Sequence, residues 1–306
     1  MHIVITDSGL GGLSVCAQLV HLLKNFSVPE NNVTPSFDLK ITYVNAVPSN
    51  NNGYNIMSGI QEQIETFEKI ISNTVRLISP DSIFVACGTL SVLLQHLKSP
   101  RVQSMRIEGI VSIGIQMLLD SLKNNPKASS IIMATPTTIS NNTFQRELLK
   151  NGIPKNQIIS QSCPNLANEI SNDPEGTIVE ERIKYWVKKS LQHFKGTSSD
   201  HLILFLGCTH YIYYETMFKK SFANEGFKKL TLLNPNFAAA EKLKNYVIND
   251  KTINSKSKKS FLINFLSPYE IPDQEKFTLK KLLTPISPET SQALKNACIV
   301  PELLDS

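Results

Sequence analysis

Apolar and polar residues along this chain form two kinds of pattern. Short apolar runs closed by glycine, proline or polar residues are typical of strands buried in a parallel sheet, and apolar residues at intervals of three and four are typical of amphipathic helices. Strands are predicted at 2–6, 39–47, 82–87, 107–114, 130–135, 157–161, 202–206, 230–233 and 261–266. Helices are predicted at 13–23, 58–78, 90–98, 115–124, 143–151, 176–195, 212–222, 237–249 and 273–283. Loops or turns are predicted at 24–38, 48–55, 136–142 and 251–259, and a polar tail with weak structure at 284–306.

The order of these elements predicts the fold class. Strands alternate with helices along the whole chain, which is typical of α/β proteins with parallel sheets. A length of 306 residues favours two domains over one. A cysteine ends a strand at Cys87 and again at Cys208, and a threonine follows closely each time. This weak internal repeat predicts two doubly wound parallel-sheet domains that are related by pseudo-symmetry and share one cleft.

Three strand ends carry residues suited to chemistry. The first strand runs into Asp7 and Ser8, the third ends at Cys87, and a later strand releases Cys208 and His210. Ligands and catalytic groups collect at the carboxyl ends of strands in open α/β sheets, so we expect these side chains to meet. Alternate residues of an extended segment share a face, so Cys208 and His210 are expected to point into one cleft.

Two thiols on opposite walls of a cleft suit one reaction in particular. One thiolate removes a proton from a carbon, and the opposing thiol returns a proton to the other face, which inverts that carbon. An imidazolium at His210 would favour the thiolate of Cys208. Asp7 carries a like charge, so it would either take the proton from Cys87 or hold a substrate ammonium group. Nearby backbone N–H groups and hydroxyls would stabilise the enolate-like carbanion.

Composition and charge narrow the class of protein. Charged residues make up 19% and hydrophobic residues 41% of the chain, as expected for a globular protein in water. We expect no membrane span, because no apolar run approaches the length of a bilayer, and no signal peptide. Five widely spaced cysteines therefore predict reduced thiols in the cytoplasm rather than a disulfide framework. The net charge of +5 is mild, and no basic stripe interleaved with aromatic residues indicates a nucleic-acid partner.

Simpler interpretations exist for several of these residues. Cys16, Cys163 and Cys298 are predicted to be small buried hydrophobic residues. The thiols and His210 could also be read as zinc ligands, but the chain has no CxxC pair and no second close histidine to support a metal site. The glycines at 9–12 do not match the GxGxxG pattern of dinucleotide sites, and Tyr54 fits a loop rim as well as a ligand site.

The strand-end motifs resemble glutamate racemase, of the aspartate/glutamate racemase superfamily. The resemblance rests on VITDSGLGGLSV at 4–15, VACGT at 85–89 and LGCTHY at 206–211, and it extends in weaker form along nearly the whole chain. The weaker landmarks are 134–148, 162–166, 230–236 and 261–277. The resemblance implies an isomerase that needs no cofactor or metal and uses two opposed cysteines on two α/β domains. It also implies a role in supplying D-amino acids for the peptidoglycan of the cell wall.

Carried over by position, the resemblance assigns roles to residues of this chain. Cys87 and Cys208 would be the acid/bases, assisted by Asp7 and His210. The substrate-binding residues would be Ser8, Tyr54, Asn55, Gly88, Thr89, Thr138 and Thr209. The first domain would comprise 1–104 and 226–306, with 105–225 inserted as the second. The partner implied is a small amino-acid substrate, and a homodimer is allowed because family members often dimerise.

The chain departs from the family pattern around the substrate. Gly88 stands where the family usually has asparagine, and Gly53-Tyr54-Asn55 replaces its Pro-Tyr-Gly loop. Ile212 replaces a proline, and Ser171, with Glu169 and Asp173 nearby, stands where the family carries an acidic helper of the second cysteine. Glutamate is the favoured substrate, followed by aspartate or another amino acid. The alternatives are a non-catalytic relative that binds a small acidic metabolite or a protein partner, and an isomerase or decarboxylase that uses one cysteine.

Overall fold

A computed structural model describes residues 1–26, 38–49, 53–197, 200–249 and 260–305. Its strands are β1 (His2–Asp7), β2 (Asp38–Asn45), β3 (Ser82–Val85), β4 (Ile107–Gly109), β5 (Ser129–Ala134), β6 (Ile158–Ser162), β7 (Leu202–Leu206), β8 (Leu230–Leu233), β9 (Ser260–Ser267) and β10 (Cys298–Ile299). Its helices are α1 (Leu13–Lys24), α2 (Ile60–Ile78), α3 (Gly88–Ser91), α4 (Pro100–Gln103), α5 (Ile110–Asn124), α6 (Pro136–Ser140), α7 (Thr143–Lys150), α8 (Leu166–Asn172), α9 (Thr177–Leu191), α10 (Glu215–Asn224), α11 (Pro235–Ile248), α12 (Asp273–Leu283) and α13 (Pro288–Lys295). Short 3₁₀ turns lie at Tyr54–Ile56, Leu94–His96, Lys155–Gln157, Thr209–Tyr214 and Pro301–Leu303.

Two parallel sheets form the framework of the molecule. The larger sheet has the order β10-β9-β2-β1-β3-β4 and the smaller one β6-β5-β7-β8, and all the described strand pairs are parallel. The first four strands of the chain lie in the order 2-1-3-4, and the next four repeat that order as 6-5-7-8. The predicted α/β class with two parallel sheets is confirmed, and Cys87 and Cys208 follow equivalent strands, β3 and β7.

Sheet membership changes at two places along the chain. The first change falls between Gly109 at the end of β4 and Ser129 at the start of β5, and the second between Leu233 and Ser260. The division at 105 and 226 remains a prediction. A division that followed the sheets would move both borders a few residues toward the C-terminus, because β4 belongs to the larger sheet and β8 to the smaller one.

Several predicted elements differ from those in the structure. The strand predicted at 107–114 ends at Gly109, because α5 begins at Ile110 and uses that apolar run as its buried face. The helix predicted at 90–98 is replaced by the short α3 and a 3₁₀ turn, and the turn predicted at 136–142 contains α6. Helix α8 was not predicted. The prediction of a weakly structured tail at 284–306 is wrong, since α13, β10 and a 3₁₀ turn occupy it.

Helix α5 lies between the two sheets and ties them into one body. Its buried residues Leu118 and Leu122 belong to an apolar cluster that also contains Val85 beside the first thiol and Phe205 beside the second. A second apolar cluster packs α1 and α11 against the larger sheet, and a third packs α9 against the smaller sheet. The strand ends that carry the thiols are therefore anchored in the core on both sides of the cleft.

Three predicted loops fall wholly or partly outside the described residues. These are the loop at 24–38 for residues 27–37, the rim at 48–55 for residues 50–52, and the loop at 251–259. Within the described part of the chain, none of the helices combines the length and the apolar character needed to cross a bilayer.

Candidate active site

The carboxyl edge of the larger sheet brings Asp7, Ser8 and Cys87 together. Asp7 ends β1, and Cys87 lies two residues past the end of the neighbouring β3. The Ser8 hydroxyl lies 3.0 Å from Cys87 Sγ and 3.5 Å from Asp7 Oδ1. The Gly9 amide donates to Asp7 Oδ1 at 3.2 Å. Register in the parallel sheet thus places the carboxylate and the thiol side by side, as predicted from their strand-end positions.

The equivalent edge of the smaller sheet presents Cys208, Thr209 and His210. Gly207 donates its amide to Met133 O at 2.8 Å and is the last residue aligned with the sheet. Cys208 then turns the chain into a 3₁₀ turn, and its Sγ lies 3.8 Å from Nδ1 of His210. The expected pairing of the second thiol with the imidazole is present in this geometry.

The two edges meet face to face. Thr209 Oγ1 donates to Asp7 Oδ2 at 2.8 Å across the junction of the two sheets. The backbone carbonyl of Thr209 accepts from the Asn236 side-chain amide at 3.0 Å and from the Ser14 hydroxyl at 3.4 Å. The segment that carries Cys208 is therefore held against the first sheet by side chains from β1, α1 and α11.

Burial keeps both thiols protonated in this closed arrangement. Burial, with the charge of Asp7 second, raises the pKa of Cys87 to about 12. Burial also raises the pKa of Cys208 well above its ordinary value, and charges on Asp7 and Cys87 add to the rise. The effect of the Cys87 charge on Cys208 places the second thiol within electrostatic reach of the first. A thiolate has to be generated by a neighbouring base.

Asp7 and His210 are the bases beside the thiols. Burial raises the pKa of Asp7 to about 6, although hydrogen bonds from Thr209 and Cys87 oppose that rise. Burial lowers the pKa of His210 to about 4, so the imidazole is neutral at pH 7. The expectation of an imidazolium that stabilises the thiolate of Cys208 is therefore wrong for this arrangement. A neutral imidazole has a free ring nitrogen that can accept a proton.

A cavity of about 430 Å³ lies between the two sheet edges, beside the thiols. Ser8, the partner of Cys87, and His210, the partner of Cys208, line it. Cys87 and Cys208 themselves are only 5% and 8% exposed, and they lie directly behind the residues that line the cavity. The cavity thus reaches the polar neighbour of each thiol from opposite sides.

The predicted substrate-binding residues divide into two groups. Tyr54 and Asn55 line the cavity with Ser8. Tyr54 is buried rather than on a rim, and Asn55 Oδ1 accepts from the Thr137 amide at 3.0 Å. Gly88, Thr89, Thr138 and Thr209 lie behind the wall in this closed form.

The hydroxyls of the second group connect the two sheets. Thr89 Oγ1 lies 2.8 Å from Thr135 Oγ1, which lies 2.9 Å from Thr138 Oγ1. Thr135, the middle residue of the three, lines the cavity, so it connects the buried hydroxyls of Thr89 and Thr138 to the cavity surface.

The acidic residues named as helpers of Cys208 are engaged elsewhere. Glu169 forms an ion pair with Arg182 at 2.8 Å. Asp173 accepts from the amides of Gly176 and Val179 at 3.0 Å each and thereby stabilises the start of α9. Ser171, which stands in the position of the family's helper, is buried in the cavity wall.

The remaining cysteines were predicted to be buried hydrophobic residues. Cys16 and Cys163 are buried, but Cys163 also lines the cavity. The prediction is wrong for Cys298, which is exposed because β10 is a two-residue strand at the sheet edge. All five cysteines are free thiols.

Sequence reasoning missed part of the cavity wall. Thr135 and Pro164 follow the ends of β5 and β6, so the strand-end rule that found the thiols would also have found them. Asn165 and Asn168 extend this wall along α8. Glu275 had no such signal, since it reaches the cavity from α12 only through tertiary packing. Among the residues that the structure describes, no group of three His, Cys, Asp or Glu side chains is placed to hold a metal ion.

Comparison with known proteins gives one consistent result. No family model matches the chain. The glutamate racemase of Clostridium botulinum is 27% identical over 255 residues, which cover 83% of this chain and 86% of that protein. The glutamate racemase of Aliarcobacter butzleri is 26% identical over 251 residues, covering 79% and 82%.

Solved structures agree with the sequence relatives. Glutamate racemase from Francisella tularensis in complex with D-glutamate has a TM-score of 0.66 and 21% identity, covering 92% of this chain and 93% of that one. The glutamate racemase isoform RacE1 from Bacillus anthracis has the same TM-score and coverage at 20% identity. In sequence and in fold, this chain is therefore a relative of the glutamate racemases, as its strand-end motifs predict.

Proposed function

We propose that this chain is an isomerase that racemises an amino acid without a cofactor, with glutamate as the favoured substrate and aspartate or another amino acid next. The observation that carries the proposal is the placement of two buried thiols at facing strand ends, each with its own base. Curated relatives named glutamate racemase, found along most of the chain, support the same activity.

In the proposed mechanism each thiol works with the base beside it. The carboxylate of Asp7 has a pKa of about 6, so it is largely ionised at pH 7 and takes the proton of Cys87 directly or through Ser8. The neutral imidazole of His210, 3.8 Å from Cys208 Sγ, takes the proton of that thiol. The thiolate then removes the proton from the substrate Cα.

The opposing thiol completes the inversion. It donates its proton to the other face of the carbon and becomes a thiolate, while the first thiol keeps the proton taken from Cα. The base that deprotonated the first thiol then releases its proton to solvent, and the new thiolate takes one up, which restores the starting state. The carbanion between the two steps is enolate-like, so hydrogen bonds to the substrate carboxylate lower the barrier. Ser8 beside Cys87, Thr135 in the cavity wall and Thr209 next to Cys208 carry the hydroxyls that are proposed to supply these hydrogen bonds.

Deuterium exchange tests this function. Purified protein is incubated in D₂O with each L-amino acid separately, and deuterium at Cα and the appearance of the D-enantiomer are followed by NMR and chiral chromatography. We expect exchange and racemisation with glutamate. No exchange with any amino acid, together with thermal stabilisation by an acidic metabolite, would instead favour a binding protein of the same fold.

Single thiol variants test the two-base scheme. Cys87→Ser and Cys208→Ser are each expected to lower racemisation by about 10²-fold or more, because a positioned acid/base contributes about that much. Cys298→Ser is the matched control, since that thiol is exposed and far along the chain from the site. Full racemase activity in either site variant would contradict the scheme, and a different product would point to a one-cysteine isomerase or decarboxylase.

A further inference from the structure

Two backbone segments touch beside the thiols without any side chain between them. Gly88 follows Cys87 and opens α3, and Gly207 precedes Cys208 at the end of β7. A Cβ atom added to Gly88 would lie 2.7 Å from the Gly207 carbonyl oxygen and 3.2 Å from Thr138 Oγ1. The first of these distances is too short for any real Cβ contact, so no side chain fits at position 88 while the cleft is closed.

Neither segment can move aside on its own. Gly207 donates its amide to Met133 O at 2.8 Å, and a Cβ on Gly207 would lie 2.9 Å from Ala134 Cβ. On the other side, Ser91 donates its amide to Cys87 O at 2.8 Å, which fixes the turn into α3. A side chain at position 88 would have to push the two sheets apart as bodies.

A second glycine repeats the arrangement on the other flank of Cys208. A Cβ on Gly11 would collide with the side chains of Thr209 and His210. The segment 207–210 therefore packs against two glycines that follow strands of the larger sheet, Gly88 after β3 and Gly11 after β1. The space is used for backbone approach, since neither glycine has the positive φ that would require glycine for torsional reasons.

We propose that Gly88 is a positioning residue that sets how closely the two thiol-bearing strand ends approach. The absence of a side chain lets the sheets close until the Gly88 backbone meets the Gly207 carbonyl. An asparagine, which stands at this position in the family that the chain resembles, would hold the thiols further apart. The catalytic consequence rests on the proposed racemase function, but the closure itself does not.

Thiol alkylation in the absence of substrate tests the closure. Gly88→Ala and Gly88→Asn are treated with iodoacetamide, and the labelling rates of Cys87 and Cys208 are read by peptide mass spectrometry. Labelling of a buried thiol follows the population of the open form, so we expect both rates to rise roughly tenfold over wild type. Gly59→Ala is the matched control, because a Cβ there meets nothing within 4 Å.

The same variants separate a positioning role from a structural one. If the thiols are held apart, kcat for racemisation should fall by roughly 10²-fold with little change in KM, as expected for a displacement of reacting groups by about 1 Å. Unchanged labelling rates in folded Gly88→Ala and Gly88→Asn would overturn the proposal. If those variants do not fold, the labelling rates of the wild-type protein test the proposal. Labelling of Cys87 and Cys208 as fast as that of the exposed Cys298 would also overturn the proposal.

Failure of this proposal is distinguishable from failure of the proposed function. Faster labelling without any amino-acid exchange in wild type would leave the closure intact and remove the racemase. If wild type exchanges the Cα proton but a side chain at position 88 leaves the labelling rates unchanged, the racemase proposal stands and the closure proposal fails.

Discussion

At the scale of single residues, burial dominates the chemistry of the site. It raises the pKa of both thiols and of Asp7 and lowers that of His210, so at pH 7 the thiols and the imidazole are neutral, while Asp7, with a pKa of about 6, is still largely ionised. Transfer of a proton from the neutral Cys208 thiol to the neutral His210 imidazole would create a thiolate and an imidazolium, whereas transfer from Cys87 to ionised Asp7 only moves the negative charge from oxygen to sulfur. A substrate that brings its own charges into the cleft would change this balance.

His210 makes folding stability depend on pH. Its folded pKa of about 4 lies below the ordinary value of 6.5, so the unfolded chain binds the proton first as the pH falls. The stability that neutral His210 contributes is present above pH 6.5 and is lost as the pH falls toward 4. In His210→Gln this loss should be absent, a difference of about 3 kcal/mol between wild type and variant.

Urea unfolding at a series of pH values measures that difference. His193→Gln is the control, because His193 is exposed and its replacement should leave the pH dependence unchanged. Parallel curves for wild type and His210→Gln between pH 6.5 and 4 would contradict the assignment of a buried neutral imidazole.

Tyr54 offers a second residue-scale prediction. Its hydroxyl is buried at the cavity and has no hydrogen-bond partner among the described residues. An unpaired buried hydroxyl costs roughly 1–3 kcal/mol, so Tyr54→Phe should raise the melting temperature of the free protein. If the hydroxyl binds substrate, the same change should raise KM roughly tenfold. Tyr43→Phe is the contrast, since Tyr43 donates to Gly9 O at 2.6 Å and its loss should lower the melting temperature.

At the scale of elements, the C-terminal segment shows how caps and packing build structure from a polar sequence. Ser287 Oγ accepts from the Thr290 amide at 3.2 Å, and Pro288 occupies the first turn of α13. Serine followed by proline is a recognised start signal for a helix, so this signal was present in a segment predicted to be weakly structured. The few apolar residues of α13, Ala293 and Leu294, are buried under the larger sheet.

Leu294→Ala tests whether the tail belongs to the core. Leu294 is 1% exposed, so its truncation should cost about 2–5 kcal/mol of unfolding free energy. The measurement is the urea midpoint at constant slope. The neighbouring exposed Lys295→Ala should change it by less than about 0.5 kcal/mol. A similarly small effect for Leu294→Ala would mean that α13 does not contribute to the stability of the sheet.

At the scale of the whole molecule, two sheets with the same strand order present equivalent edges to one another. The repeat 2-1-3-4 and 6-5-7-8 places one thiol after the third strand of each half, so Cys87 and Cys208 occupy the same topological position. The contacts that close the cleft are bonds between the halves, such as Thr209 to Asp7 and Asn55 to Thr137. In the proposed reaction we expect these bonds to part when substrate reaches the thiols, since both thiols are buried.

The amino-acid sequence by itself determined the class of the fold and the identity of the polar residues that meet at the facing strand ends. Apolar runs ending in polar residues mark buried parallel strands, and the carboxyl ends of such strands are where side chains of different strands converge. Asp7, Cys87, Cys208 and His210 could be found in this way because each lies at or just after the end of a strand.

Only the tertiary structure decided the charge states and the closure. The neutral form of His210 results from burial by residues distant in sequence, and Glu275 enters the cavity wall from a helix with no local signal. The fit of Gly88 against the Gly207 carbonyl depends on how two separately hydrogen-bonded sheets pack. Local patterns specify elements and their ends, whereas desolvation and steric fit depend on every neighbour that packing brings near.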